Sequence, residues 1–214
     1  MGVDHIGLYA YGLLVTLKIC AIAAGLSLGV GVVICVCRVS PVRPLRLFGA
    51  IWVTCFQNCP LAVILFFLAF GLPVLGITWS YLWFGICGLV CYTSAFTAEA
   101  VRSGINSVDD GLIEAAYSLG FGFTRVLLLV VLPLGVRSSI PPLVNVFINM
   151  IKNAAVVGAF GVTGELFGVT NSLISALGYP AVPVLIGVVI GYFLLIMPLV
   201  GVLRVVESRV AVLR

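Results

Sequence analysis

Asn145, Asn149 and Lys152 recur at i, i+4 and i+7 inside an otherwise apolar stretch. At 3.6 residues per turn a helix gathers them within about 60° of arc, with Asn153 at the margin. Carboxamides and an ammonium on one stripe supply hydrogen bonds and a positive charge, which is chemistry for holding a polar solute. Ionisable groups at membrane depth are costly and face a bundle interior or an aqueous cavity. Two readings fit the stripe: it lines a translocation path, or its Asn side chains bond neighbouring helices together. Gln57, Asn58 and Pro60 form a second polar cluster, where proline deletes a backbone hydrogen bond and kinks the helix, exposing carbonyls to a solute. Glu99 and Arg102, at i and i+3, are placed for a local ion pair.

Catalytic arrangements are excluded. His5 is the single histidine, so no His-based triad or multi-histidine metal site forms. Asp4, Asp109 and Asp110 all fall outside the apolar runs, which removes an intramembrane aspartate pair. The seven cysteines lie inside apolar runs with no C-x-x-C among them and read as small core residues.

The elements that position these residues are membrane helices. Of 214 residues, 63% are hydrophobic and 8% charged, with a mean hydropathy of +1.31, whereas about a quarter of a soluble chain is charged. Long continuous apolar runs exclude a β-barrel. The expectation is an all-α membrane protein, one transmembrane domain over 1–214, with five spans at about 13–37, 47–70, 79–100, 139–160 and 183–203. The segment Met1 to Tyr11 lacks Lys and Arg, so the first span is expected to stay in the mature protein. Arg38, Arg43 and Arg46, then Arg102, Arg125 and Arg137, then Arg204, Arg209 and Arg214 all fall on one side of this arrangement. Since cytoplasmic loops are enriched in basic residues, the N-terminus is expected outside and the C-terminus in the cytoplasm. The net charge of +4 thus reflects topology and gives no sign of nucleic-acid binding. Lys18, about 30 Å from Arg38 along a helix, is expected to snorkel to the outer headgroups. Outside the membrane, 164–180, which carries Glu165, is long enough to fold partly and is expected to contact an extracytoplasmic solute-binding protein.

The one extended polar connection, about 102–137, contains a short helix with Asp109 or Asp110 as N-cap and Gly120 as left-handed stop. Leu112, Ala115, Ala116 and Leu119 make one shallow apolar stripe on it. Such a helix suits docking into a groove on a partner, or folding back on its own bundle.

Glu114-Ala115-Ala116, Gly120 and Leu132-Pro133 resemble the EAA loop of permease subunits from ATP-binding-cassette (ABC) importers. Ala98-Glu99 through Arg102-Ser103-Gly104-Ile105, Cys59-Pro60-Leu61, and Ile140-Pro141-Pro142-Leu143 through Lys152-Asn153 are similar to the polar amino-acid subgroup, which serves histidine, arginine, glutamine and glutamate. Arg38-Val39-Ser40-Pro41-Val42 and Tyr92-Thr93-Ser94 look closest to the glutamate members. The resemblance implies a type I ABC importer permease fold in the inner membrane. It implies that Glu114, Ala115, Ala116, Leu119 and Gly120 form the coupling helix to a cytoplasmic ATPase, with Glu99 and Arg102 bracing the loop. Gln57, Asn58, Asn145, Asn149 and Lys152 are the candidate translocation path; family members for cationic amino acids share the Lys, which favours a structural or gating role for it over selectivity. Implied partners are ATPase subunits, a second, homologous permease chain and an extracytoplasmic solute-binding protein. No P-loop is present in this sequence, so ATP and magnesium are expected on the partner ATPase and no cofactor on this chain. The competing functions are a stand-alone ion-coupled carrier or channel, and an assembly scaffold.

Overall fold

The computed structural model describes the backbone of residues 3–211 and the side chains of 6–209. The expected placements of the Asp4, His5 and Arg214 side chains lie outside the described residues. Among the described residues every regular element is helical. In chain order these are α1 (Val3–Val39), α2 (Arg43–Asn58), α3 (Leu61–Val74), α4 (Tyr81–Asn106), α5 (Asp110–Ser118), α6 (Phe123–Ala159), α7 (Asn171–Ala176) and α8 (Ala181–Ala211).

Four helices, within α1, α4, α6 and α8, are each long and apolar enough to cross a bilayer, and α2 with α3, bent by 104°, makes a fifth if the pair is taken as one broken span. The expected kink at Pro60 is thus a sharp break. Steric contact with the proline ring drives the preceding residue to extended backbone, and Cys59 adopts φ −98°, ψ 128°, ending α2 at Asn58.

The fourth helix starts at Phe123, well before the expected 139, so the connection between α4 and α6 shortens to 107–122. Pro133 does not stop it, because a wide π-type turn at Leu127–Val131 precedes it, with the Leu132 N–H bonding the Leu127 carbonyl five residues back. The extra residue in that turn moves the carbonyl that a proline ring would strike. The same device recurs in α3, where a wide turn at Phe67–Gly71 precedes Leu72-Pro73.

The α4 helix is central: 67% of its most apolar stretch is buried, against 39% or less in the other three unbroken spans. It packs chiefly against α1 and α6. Small residues let the backbones approach, as expected where lipid gives no hydrophobic drive to helix association. A Cβ added at Gly31 would lie 2.5 Å from the Thr97 side chain, and one at Gly104 would lie 2.0 Å from Ser139 Oγ. The buried hydroxyls of Thr97 and Ser139 donate back to the Thr93 and Gly135 carbonyls at 2.9 and 2.7 Å, so they bring no unpaired polar group into the core. The main core joins Ile19 and Ala23 of α1, Leu65 of α3, Leu89 of α4 and Ala154 and Val157 of α6.

Candidate solute path and coupling helix

The facing walls of α4 and α6 enclose a cavity of about 260 Å³ at mid-span, lined by Tyr92, Thr93 and Phe96 on one side and Asn149, Lys152 and Asn153 on the other. Tyr92 and Phe96 stand one turn apart with ring centroids 5.0 Å from each other and planes tilted by 49°. The Thr93 hydroxyl is buried and, among the described residues, has no hydrogen-bond partner, an arrangement that costs about 1–3 kcal/mol when nothing answers it. No Asp or Glu lines this cavity.

The stripe on α6 is therefore partly gathered: Asn149 and Lys152 share the wall, whereas Asn145, exposed as they are, lies outside it. Gln57 and Asn58 are not in the wall either. The Gln57 amide donates to the Ala95 carbonyl at 3.4 Å and the Asn58 amide to its own helix at Thr54, 2.7 Å away. Tyr92, Thr93 and Phe96 are additions that no periodicity of polar residues signalled, because two are aromatic and the third is a hydroxyl in a helix rich in small residues.

At the arginine-rich end, Glu99 accepts from Arg102 Nε at 3.1 Å and from both Arg102 Nη2 and Arg38 Nη1. The expected local pair is thus a three-residue bridge from α1 to α4, and Arg38 is the partner that sequence spacing missed.

Between α4 and α6 stands α5. Asp109 caps it, its Oδ1 accepting from the Gly111 N–H at 2.6 Å. Gly120 ends it at φ +82°, with its N–H on Tyr117 O (2.9 Å) and the Phe121 N–H on Ala116 O (3.2 Å). These paired bonds close the helix in the Schellman manner, which only a residue tolerant of positive φ allows without strain. The expected four-residue stripe is split. Ala116 is buried, in a helix that packs against the first turns of α6, while Leu112, Ala115 and Leu119 are exposed together with Glu114.

Glu165, in the segment expected to meet a solute-binding protein, is itself fully buried. Its carboxylate accepts from Thr16 Oγ1 at 2.8 Å, from the Phe167 N–H at 2.7 Å and from the Tyr192 hydroxyl. Burial pushes its pKa up, and the converging donors oppose that rise. One carboxylate so ties the segment to α1 and α8.

The model of the family of binding-protein-dependent transport system inner membrane components matches residues 21–212. The chain belongs to this family. The permease is 36% identical over 206 residues to a probable glutamine ABC transporter permease protein, GlnM, of Bacillus subtilis, covering 96% of this chain and 94% of the relative. It is 36% identical over 160 residues to the glutamate transport system permease protein GluC of Corynebacterium efficiens, covering 69% and 70%. A solved amino acid ABC transporter with histidines superposes with a TM-score of 0.92 at 28% identity, covering 97% of this chain and 96% of that one. The fold is accordingly that of the type I ABC importer permeases.

Proposed function

We propose that this permease carries glutamate, or its amide glutamine, into the cell as part of an ATP-driven importer, with α5 as the coupling helix. The observation that carries the coupling role is the exposed Leu112, Ala115, Leu119 and Glu114 face on a helix capped at both ends and held to α6 by Ala116. A cytoplasmic ATPase that binds ATP and magnesium grips that face. Glu99, Arg102 and Arg38 brace the loop's root. The N-terminus lies outside and the C-terminus inside, in keeping with the arginine distribution. A second permease chain completes the path, and an extracytoplasmic binding protein delivers the solute. Closure of the ATPase pair draws the coupling helices together and tips the bundles as rigid bodies.

The cavity between α4 and α6 supports the solute assignment. Asn149 and Asn153 offer carboxamides to a side-chain amide or carboxylate, and Tyr92 and Phe96 offer ring faces to an α-ammonium. In proteoliposomes with the ATPase and binding protein, glutamate or glutamine should stimulate ATP hydrolysis most among the amino acids. Another amino acid as the best stimulant would refute the solute assignment. Glu114→Lys should abolish coupled uptake while the chain still reaches the membrane; normal uptake would remove the coupling role.

A further inference from the structure

A second cavity, of about 440 Å³, opens at the other end of the spans between α1, the start of α4 and the Gly161–Gly164 turn. Its size falls within the range of small-molecule sites, about 300–1,000 Å³. Its lining changes character with depth. Tyr11, Tyr81 and Lys18 line it together with Ile22 and Ile86, and Lys18 lies seven residues, about 10.5 Å, deeper along α1 than Tyr11. Ile22 lies four residues, about 6 Å, deeper along α1 than Lys18, and Ile86 five residues, about 7.5 Å, deeper along α4 than Tyr81. The same 1.5 Å rise puts Lys18 about 30 Å from Arg38, one hydrocarbon thickness away and thus at the level of the far headgroups. Tyrosines near this level match the aromatic belt.

We infer that this groove binds one anionic phospholipid, its phosphate at Lys18 and its acyl chain along Ile22 and Ile86. Charge selects the occupant. Among the described residues Lys18 is the only cation lining the groove and no carboxylate lines it, and Lys18 is exposed. A polar mouth over an apolar floor, ordered along the membrane normal, matches the phospholipid's own ordering. The occupant would touch the turn at Gly161, next to the segment that Glu165 anchors. This site depends on α1 spanning the bilayer and not on which solute is carried.

Native mass spectrometry of the full chain released from vesicles of phosphatidylcholine with phosphatidylglycerol provides the test. The permease should retain phosphatidylglycerol in preference to phosphatidylcholine. Lys18→Gln should lower that retention about fivefold, the factor that matches about 1 kcal/mol for one Lys beside anionic headgroups. Lys18→Arg should restore it, and Arg209→Gln, at the opposite end of the spans, should leave it unchanged. Ile22→Trp, which fills the floor without touching the charge, should also displace the lipid. Equal retention of the two lipids, or full retention of phosphatidylglycerol by both Lys18→Gln and Ile22→Trp, would overturn the site.

Discussion

Replacing Glu165 with Ala removes an acceptor on which two hydroxyls from distant helices and the Phe167 N–H of its own turn converge. Thr16 has an alternative, since its Oγ1 also donates to the Gly12 carbonyl at 2.9 Å. The Phe167 N–H has no second acceptor among its described bonds, whereas the Tyr192 hydroxyl also has Thr16 within hydrogen-bond reach. One partly buried donor left unanswered costs about 1–3 kcal/mol, to which the Tyr192 hydroxyl adds less because Thr16 can answer it. Glu165→Gln should fall between, because an amide keeps one oxygen for the hydroxyls but turns its NH₂ toward the Phe167 N–H, leaving one donor opposed at about 1–3 kcal/mol. Gly158 sharpens the test. A Cβ there would lie 1.9 Å from Glu165 Oε2, so Gly158→Ala should be damaging in the parent chain and less so in Glu165→Ala, a non-additive pair. Chemical unfolding in micelles gives the stabilities, and limited proteolysis across 161–180 reports the loosened segment. If Glu165→Ala unfolded at the parent's midpoint and resisted protease equally, the latch would be wrong.

Three other perturbations follow from the packing. Gly104→Val places a Cβ 2.0 Å from Ser139 Oγ and 2.6 Å from the Gly135 carbonyl, so unfolding measurements should show a loss of at least about 1–3 kcal/mol. Thr93→Val removes a buried hydroxyl that has no described partner and should raise stability by about 1–3 kcal/mol, yet it should slow ATP-driven uptake in proteoliposomes because the solute loses a contact; unchanged uptake would take Thr93 off the path. Arg38→Ala breaks a partly exposed bridge whose carboxylate keeps Arg102, so equilibrium unfolding should change by less than about 1 kcal/mol.

The helical class, the apolar stretches, the Asp109 cap and the Gly120 stop were all legible in the sequence, because each depends on local composition or on one residue's backbone preference. The bounds of α6 were not. Arg125, Pro133 and Arg137 fell in the connection read over about 102–137, and only a wide turn ahead of Pro133 lets the helix run through it. The break at Pro60 was visible as a disturbance but not as 104°, since the angle depends on how α3 packs on α4. Glu165 was misplaced for a different reason. A lone acid in a polar connection looks exposed, and its partners Thr16 and Tyr192 stand 149 and 27 residues away. Gly158 and Gly168, both crowded against this segment, were the available hint. The cavity was half legible: polar residues on α6 announced themselves by period, while Tyr92 and Phe96 were hidden among ordinary core aromatics.

The tight contacts also constrain how any opening takes place. At the arginine-rich end α4 and α6 meet through Gly104 and Ser139; at the other end Gly85 leaves room for Val157, where a Cβ would lie 2.3 Å from the Val157 side chain. The cavity at Thr93 and Asn149 sits between these two contacts. Prying α4 from α6 would break close packing at both ends, so exposure to one side and then the other is better served by moving the pair as one body against another chain. Ala116 seats α5 on the start of α6, and Asn149 lies on the same helix 26 residues, about 39 Å, further on. A force applied at α5 therefore enters the element that carries half of the cavity wall, without needing a flexible relay between them.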